Sequence, residues 1–81
     1  MSSLSVLTTV FTKAKTQKEL QNLLMGILTS KEREELVQRL EIVKLLKKGV
    51  SQHAIAEQLG VGVATVTRGS KEIQMGRFQY V

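Results

Sequence analysis

Two short runs fix where helices in this chain must begin. Thr16-Gln17-Lys18-Glu19 and Thr29-Ser30-Lys31-Glu32 both read hydroxyl, two spacers, glutamate. In that pattern the hydroxyl accepts a bond from the glutamate's backbone N–H, and the carboxylate reaches back to the hydroxyl residue's own N–H. The free donors of a helix start are satisfied reciprocally, so each run predicts a helix onset. The first predicts a helix over roughly 17–27, with Leu20, Leu23, Leu24 and Ile27 turned inward. The second starts the longest helix, which runs to about Lys48 and stops at Gly49, a residue suited to the left-handed terminator. Lys44, Lys47 and Lys48 gather at its C-terminal end, where cations offset the helix dipole. Ahead of both, Leu4, Leu7, Val10, Phe11 and Ala14 recur at helical spacing, with Ser2 or Ser3 available as a cap. They predict a helix from about residue 3 to residue 15. With no proline anywhere in the sequence, the predicted fold class is all-α.

Size turns this into a question about partners. Eighty-one residues make a single domain, 1–81, and a monomer of this size buries too little apolar surface to be robust without a staple or a second chain. The sequence has no cysteine and one histidine, His53, so disulfides are excluded and no metal site is expected. The apolar positions of the long helix, Leu36, Val37, Leu40, Ile42, Val43, Leu45 and Leu46, cover more than half its circumference, wider than the stripe of a surface helix. One small subunit cannot easily cover both sides of such a helix, whereas a homodimer can. No apolar run approaches the roughly 20 residues a bilayer requires, and no early basic region or cleavage site marks a signal peptide. The expected setting is cytoplasmic, with no membrane partner. A net charge of +5 favours a polyanionic partner such as nucleic acid, with solubility alone as the bland alternative.

The segment SQHAIAEQLGVGVATVTRGSKE, Ser51 to Glu72, decides between those readings. Ser51 caps a short helix from Gln52 to about Gln58, Gly60 supplies a positive backbone angle for a tight turn, and a further helix starts near Val63. Ala56 is small where two helices cross, and Ile55, Leu59, Val61 and Val66 are placed to pack the pair together. That spacing fits a helix-turn-helix over about 51–73. At the leading end of its second helix, Gly62, Val63 and Ala64 are small or apolar and allow close approach to base edges. Thr65 and Thr67 offer hydroxyls to phosphates or bases, Arg68 and Lys71 add charge, and Gln52 and His53 open the preceding helix. The candidate DNA-binding residues are therefore Gln52, His53, Gly62, Val63, Ala64, Thr65, Thr67 and Lys71. A helical hairpin that docks a protein partner would share the same spacing and is the reading from another class. No nucleophile–base pair, paired-carboxylate cleft or phosphate loop is legible, so no catalytic residue and no enzyme is expected.

At these residues the chain resembles the tryptophan repressors. The resemblance rests on Ala64-Thr65-Val66-Thr67-Arg68-Gly69-Ser70 and extends back through Leu28-Thr29-Ser30-Lys31-Glu32-Arg33-Glu34 and Arg39-Leu40-Glu41-Ile42-Val43, covering roughly residues 20–73. It implies an intertwined all-helical homodimer that represses transcription by binding a palindromic operator on double-stranded DNA. It also implies a corepressor, L-tryptophan, rather than a permanent cofactor. Carried over by position, Arg39 is the arginine that stacks on the indole, Arg68 the one that faces the ligand, and Gly69 the glycine that leaves room for the ring. Leu28 and Thr29 match residues that the partner subunit lends near the amino acid's polar end. Two guanidinium planes can sandwich an aromatic ring and pair with its carboxylate. The chain departs from the family pattern at Glu72, which replaces a serine near the ligand's amino group, and at Gly26, which replaces a larger apolar residue. His53 and Ala56 replace basic residues at the DNA face. The sequence stops at Val81, before the family's last helix, and Met75–Val81 is expected as a frayed remnant or a strand-like tail. A ligand-independent DNA-binding regulator of the same family is the alternative that Glu72 and Gly26 leave open.

Overall fold

All the helices but the last begin where a side chain satisfies the first free N–H groups. In the computed structural model, which describes residues 2–81, five helices follow one another: α1 (Ser3–Phe11), α2 (Gln17–Ile27), α3 (Ser30–Lys47), α4 (Gln52–Leu59) and α5 (Val63–Gln74). No strand occurs among the described residues. Both reciprocal boxes form. Glu19 N–H donates to Thr16 Oγ1 at 3.1 Å while Thr16 N–H donates to Glu19 Oε1 at 3.1 Å. Thr29 and Glu32 repeat the arrangement at 3.1 and 2.9 Å. Ser2 and Ser51 cap α1 and α4 with their hydroxyls.

The chain divides into two units, one reaching to Arg33 and the other Glu34–Val81. In the first, α1 ends at Phe11 rather than near residue 15. The cause lies in the next helix start, because Glu19 Oε1 also accepts the Lys15 N–H at 2.9 Å. A donor held by α2's cap cannot extend α1, so the chain turns through Thr12–Ala14 with bonds from Lys13 to Val10 and from Ala14 to Phe11. Leu20, Leu23 and Leu24 are half-buried, while Ile27, expected to face inward, is exposed.

The second unit holds the core. Ile42 and Val43 of α3, Ile55 and Ala56 of α4 and Val66 of α5 are buried, with Leu45, Leu46, Val50, Leu59 and Val61 packed around. Full burial of one such aliphatic chain contributes about 1.5–3 kcal/mol. Helix α3 stops as a Schellman motif: Gly49 has φ +87°, its N–H reaches Leu46 O at 3.0 Å, and Val50 N–H reaches Leu45 O at 3.1 Å. Leu36, Val37 and Leu40 of α3 remain exposed. Among the described residues no helix is long and apolar enough to cross a membrane. After α5 the chain forms turns through residue 80. The strand-like tail expected there does not form; Lys47 Nζ donates to the carbonyl oxygens of Phe78 and Val81.

Candidate nucleic-acid interface

Helices α4 and α5 meet across a turn set by one glycine. Gly60 closes α4 in the left-handed region, φ +68°, ψ +36°, and Val61 N–H returns to Ala56 O at 3.0 Å. Ile55, Ala56 and Val66 seal the crossing. Gly62 is different: it lies in ordinary extended backbone as the N-cap of α5, and no atom lies within 4 Å of where its Cβ would be. It leaves the front of α5 low and bare. Val63, Ala64, Thr65 and Lys71 are exposed with it, as are His53 on α4 and Arg68 on α5.

Two of the candidate DNA-binding residues are engaged with each other. Gln52 opens α4 and Thr67 lies on α5; both are half-buried, and Thr67 Oγ1 donates to Gln52 Oε1 at 2.6 Å. Among the described residues the ion pair is Arg77–Glu72, so neither Arg68 nor Lys71 is neutralised by an acid.

A cavity of about 480 Å³ lies beside this hairpin, lined by Arg39, Ile42 and Val43 of α3, Thr65, Arg68, Gly69 and Glu72 of α5, and Arg77 and Phe78 after it. Its size falls in the range of small-molecule sites. Four of the six candidate ligand residues, Arg39, Arg68, Gly69 and Glu72, are thereby brought together. Thr65, read as a DNA residue, lines it too. Leu28 and Thr29 belong to the other unit and are not among its lining residues. Leu28 O accepts a bond from Arg33 at 3.2 Å, and both the N–H and Oγ1 of Thr29 serve the α3 cap. The Thr29 backbone and hydroxyl bonds hold the Glu32 carboxyl below its usual range.

The cavity's glycine faces α3. A Cβ on Gly69 would lie 3.2 Å from Ile42 Cγ2 and 3.6 Å from Leu46 Cδ1, so the missing side chain lets α5 approach α3 closely. Glu72 meets Arg77, Nε to Oε2 at 3.4 Å, in a partly exposed pair whose contribution to stability is at most about 1 kcal/mol.

Arg77 and Phe78 were not singled out by sequence reasoning, yet a signal for them exists. Gly76 has φ +80°, with its own N–H on Ile73 O and Arg77 N–H on Glu72 O. This is the stop used at Gly49. It turns the chain so that the next two residues border the cavity.

The family model described as Trp repressor protein matches residues 2–81. The Trp operon repressor homolog of Vibrio vulnificus (strain YJ016) is 50% identical over 60 residues, 73% of this chain and 59% of the relative. That of Vibrio cholerae serotype O1 is 48% identical over 59 residues, 72% of this chain and 57% of the relative. That of Aliivibrio fischeri (strain MJ11) is 45% identical over 74 residues, 90% of this chain and 68% of the relative. The chain thus spans less than two thirds of the length of the Vibrio relatives. No solved structure matches it significantly.

Proposed function

The chain belongs to the Trp repressor family, and from that premise we propose that it is a sequence-specific DNA-binding repressor of transcription. It works as a homodimer and is gated by a small aromatic amino acid, L-tryptophan. One observation carries the reading: the helix whose leading end is bare, and whose Arg68 and Lys71 have no acid partner, is the same helix that forms one wall of the cavity. A ligand seated there touches α3 through Arg39 and α5 through Arg68, and so acts on the angle between them. Guanidinium planes suit an aromatic face and an amino acid's carboxylate.

Dimerisation gives that angle its consequence. The exposed Leu36, Val37 and Leu40 form the face a second copy would cover. In helix-turn-helix dimers, tryptophan repressors being one of the standard examples, the two reading helices enter successive major grooves about 34 Å apart. A ligand that fixes α5 at the matching tilt shifts the equilibrium only if it binds the DNA-competent arrangement more tightly than the other.

The test is selection of duplexes from a randomised pool, with and without L-tryptophan. The reading expects palindromic winners whose affinity rises about ten- to hundredfold with ligand. It fails if no duplex is preferred over random sequence. A ligand-independent regulator is the second reading, supported by the Glu72–Arg77 pair, which gives the Glu72 carboxylate a cationic partner without any ligand. Full operator affinity in ligand-free protein would select it.

A further inference from the structure

A threonine inside a helix ordinarily returns its hydroxyl hydrogen to the carbonyl four residues back, as Thr8 and Thr9 do here at 2.8 Å. Thr67 does not. Its hydrogen crosses to the first residue of α4, Gln52 Oε1, at 2.6 Å. A carboxamide has one accepting end and one donating end. With the oxygen held by Thr67, the Gln52 Nε2 group points the other way, carrying two donors. Among the described residues no acceptor takes them, and no buried side-chain nitrogen or oxygen lacks a partner. Nε2 is therefore not a buried, unpartnered atom, and its two donors are free for an outside acceptor.

We propose that Thr67 is a positioning residue for DNA, not a contact residue: its hydroxyl aims the Gln52 amide N–H groups at a phosphate of the duplex backbone. This rests on the DNA-binding reading above. Phosphate oxygens only accept, and the single hydroxyl hydrogen of Thr67 is already committed, so Thr67 has nothing to donate to a phosphate without breaking its bond to Gln52. A neutral amide on a phosphate is blind to sequence and displaces no counterion of its own. Loss of Thr67's hydroxyl should weaken operator and random duplex alike and leave the salt dependence unchanged. A direct base contact would instead erode discrimination between duplexes.

The experiment is a double-mutant cycle read by fluorescence anisotropy on a duplex selected from the randomised pool and on its scrambled version. Thr67→Val is expected to raise Kd about tenfold on both duplexes, the loss of one well-placed hydrogen bond, with an unchanged slope against log salt. Thr67→Ser, which keeps the hydroxyl, is expected to bind within about twofold of the parent. In a Gln52→Ala background, Thr67→Val is expected to cost less than about twofold, since there is no amide left to aim. Melting curves of all variants separate binding from folding. An equal loss from Thr67→Val with and without Gln52 overturns the proposal and makes Thr67 a contact in its own right. An undiminished affinity in folded Thr67→Val also overturns it. If the parent protein prefers no duplex at all, the DNA-binding reading falls, and this inference with it.

Discussion

Gly60 and Gly62 sit two residues apart in one turn and should answer the same substitution in opposite ways. At Gly60 the backbone is left-handed, φ +68°, with no atom within 4 Å of a new Cβ, so alanine meets no neighbour and costs only conformation. That cost is about 1–2 kcal/mol for an L-residue, offset by about 0.4–1 kcal/mol from a stiffer unfolded chain. Gly60→Ala should therefore lose about 1 kcal/mol, which lowers Tm by about 4–8 °C in a domain of this size. At Gly62, φ −71° and ψ 148° suit any residue, and the space is again open. The unfolded-state gain roughly cancels alanine's poorer performance as an N-cap, so Gly62→Ala should melt within about 2–3 °C of the parent. Its effect belongs to binding, since a methyl group is added to the bare front of α5. The assay is thermal unfolding by circular dichroism at one fixed protein concentration, because self-association makes Tm concentration-dependent, paired with duplex anisotropy. Equal melting of the two variants would refute the separation of turn from surface, as would a Gly60→Ala protein no less stable than the parent.

Ile55 is fully buried, and Ile55→Ala should cost about 2–5 kcal/mol, measured as a shift in urea midpoint at unchanged slope. Val37 is 54% exposed in the single chain. If a second copy covers it, Val37→Asp should leave the helix content intact and raise the dimer Kd on the order of a hundredfold by sedimentation. The Thr29 backbone N–H, and then its hydroxyl, depress the Glu32 pKa. A depressed carboxyl stabilises the fold above its unfolded pKa, and that contribution is lost as pH falls through the folded value. Carbon-detected NMR should therefore place Glu32's midpoint below that of the same residue in the urea-unfolded chain, and Thr29→Val should move it back up.

Local chemistry was legible in the sequence, and side-chain partnerships were not. The starts of α2, α3 and α4 could be read from Thr16, Thr29 and Ser51 because a cap is decided within four residues. Gly49 and Gly60 could be read because few residues but glycine take a left-handed turn. The end of α1 was missed because it depends on a competitor, Glu19, that holds the Lys15 donor from outside the helix. Gly76 carries the same stop signal as Gly49, yet it followed a helix whose length periodicity alone did not fix. In the candidate site, Arg39, Arg68, Gly69 and Glu72 were grouped by resemblance and do line one cavity. The bond between Gln52 and Thr67 spans fifteen positions and two helices. No spacing rule reports it.

The Schellman stop at Gly76 has a consequence for how a molecule of this kind can diversify. Arg77 and Phe78 reach the cavity because the backbone reverses, not because either is locked into the core. If the cavity takes a small molecule and α5 meets DNA, as proposed above, a handful of codons downstream of α5 would retune the ligand while leaving the leading end of that helix untouched. On that reading the two tasks would share one rod and yet be inherited separately.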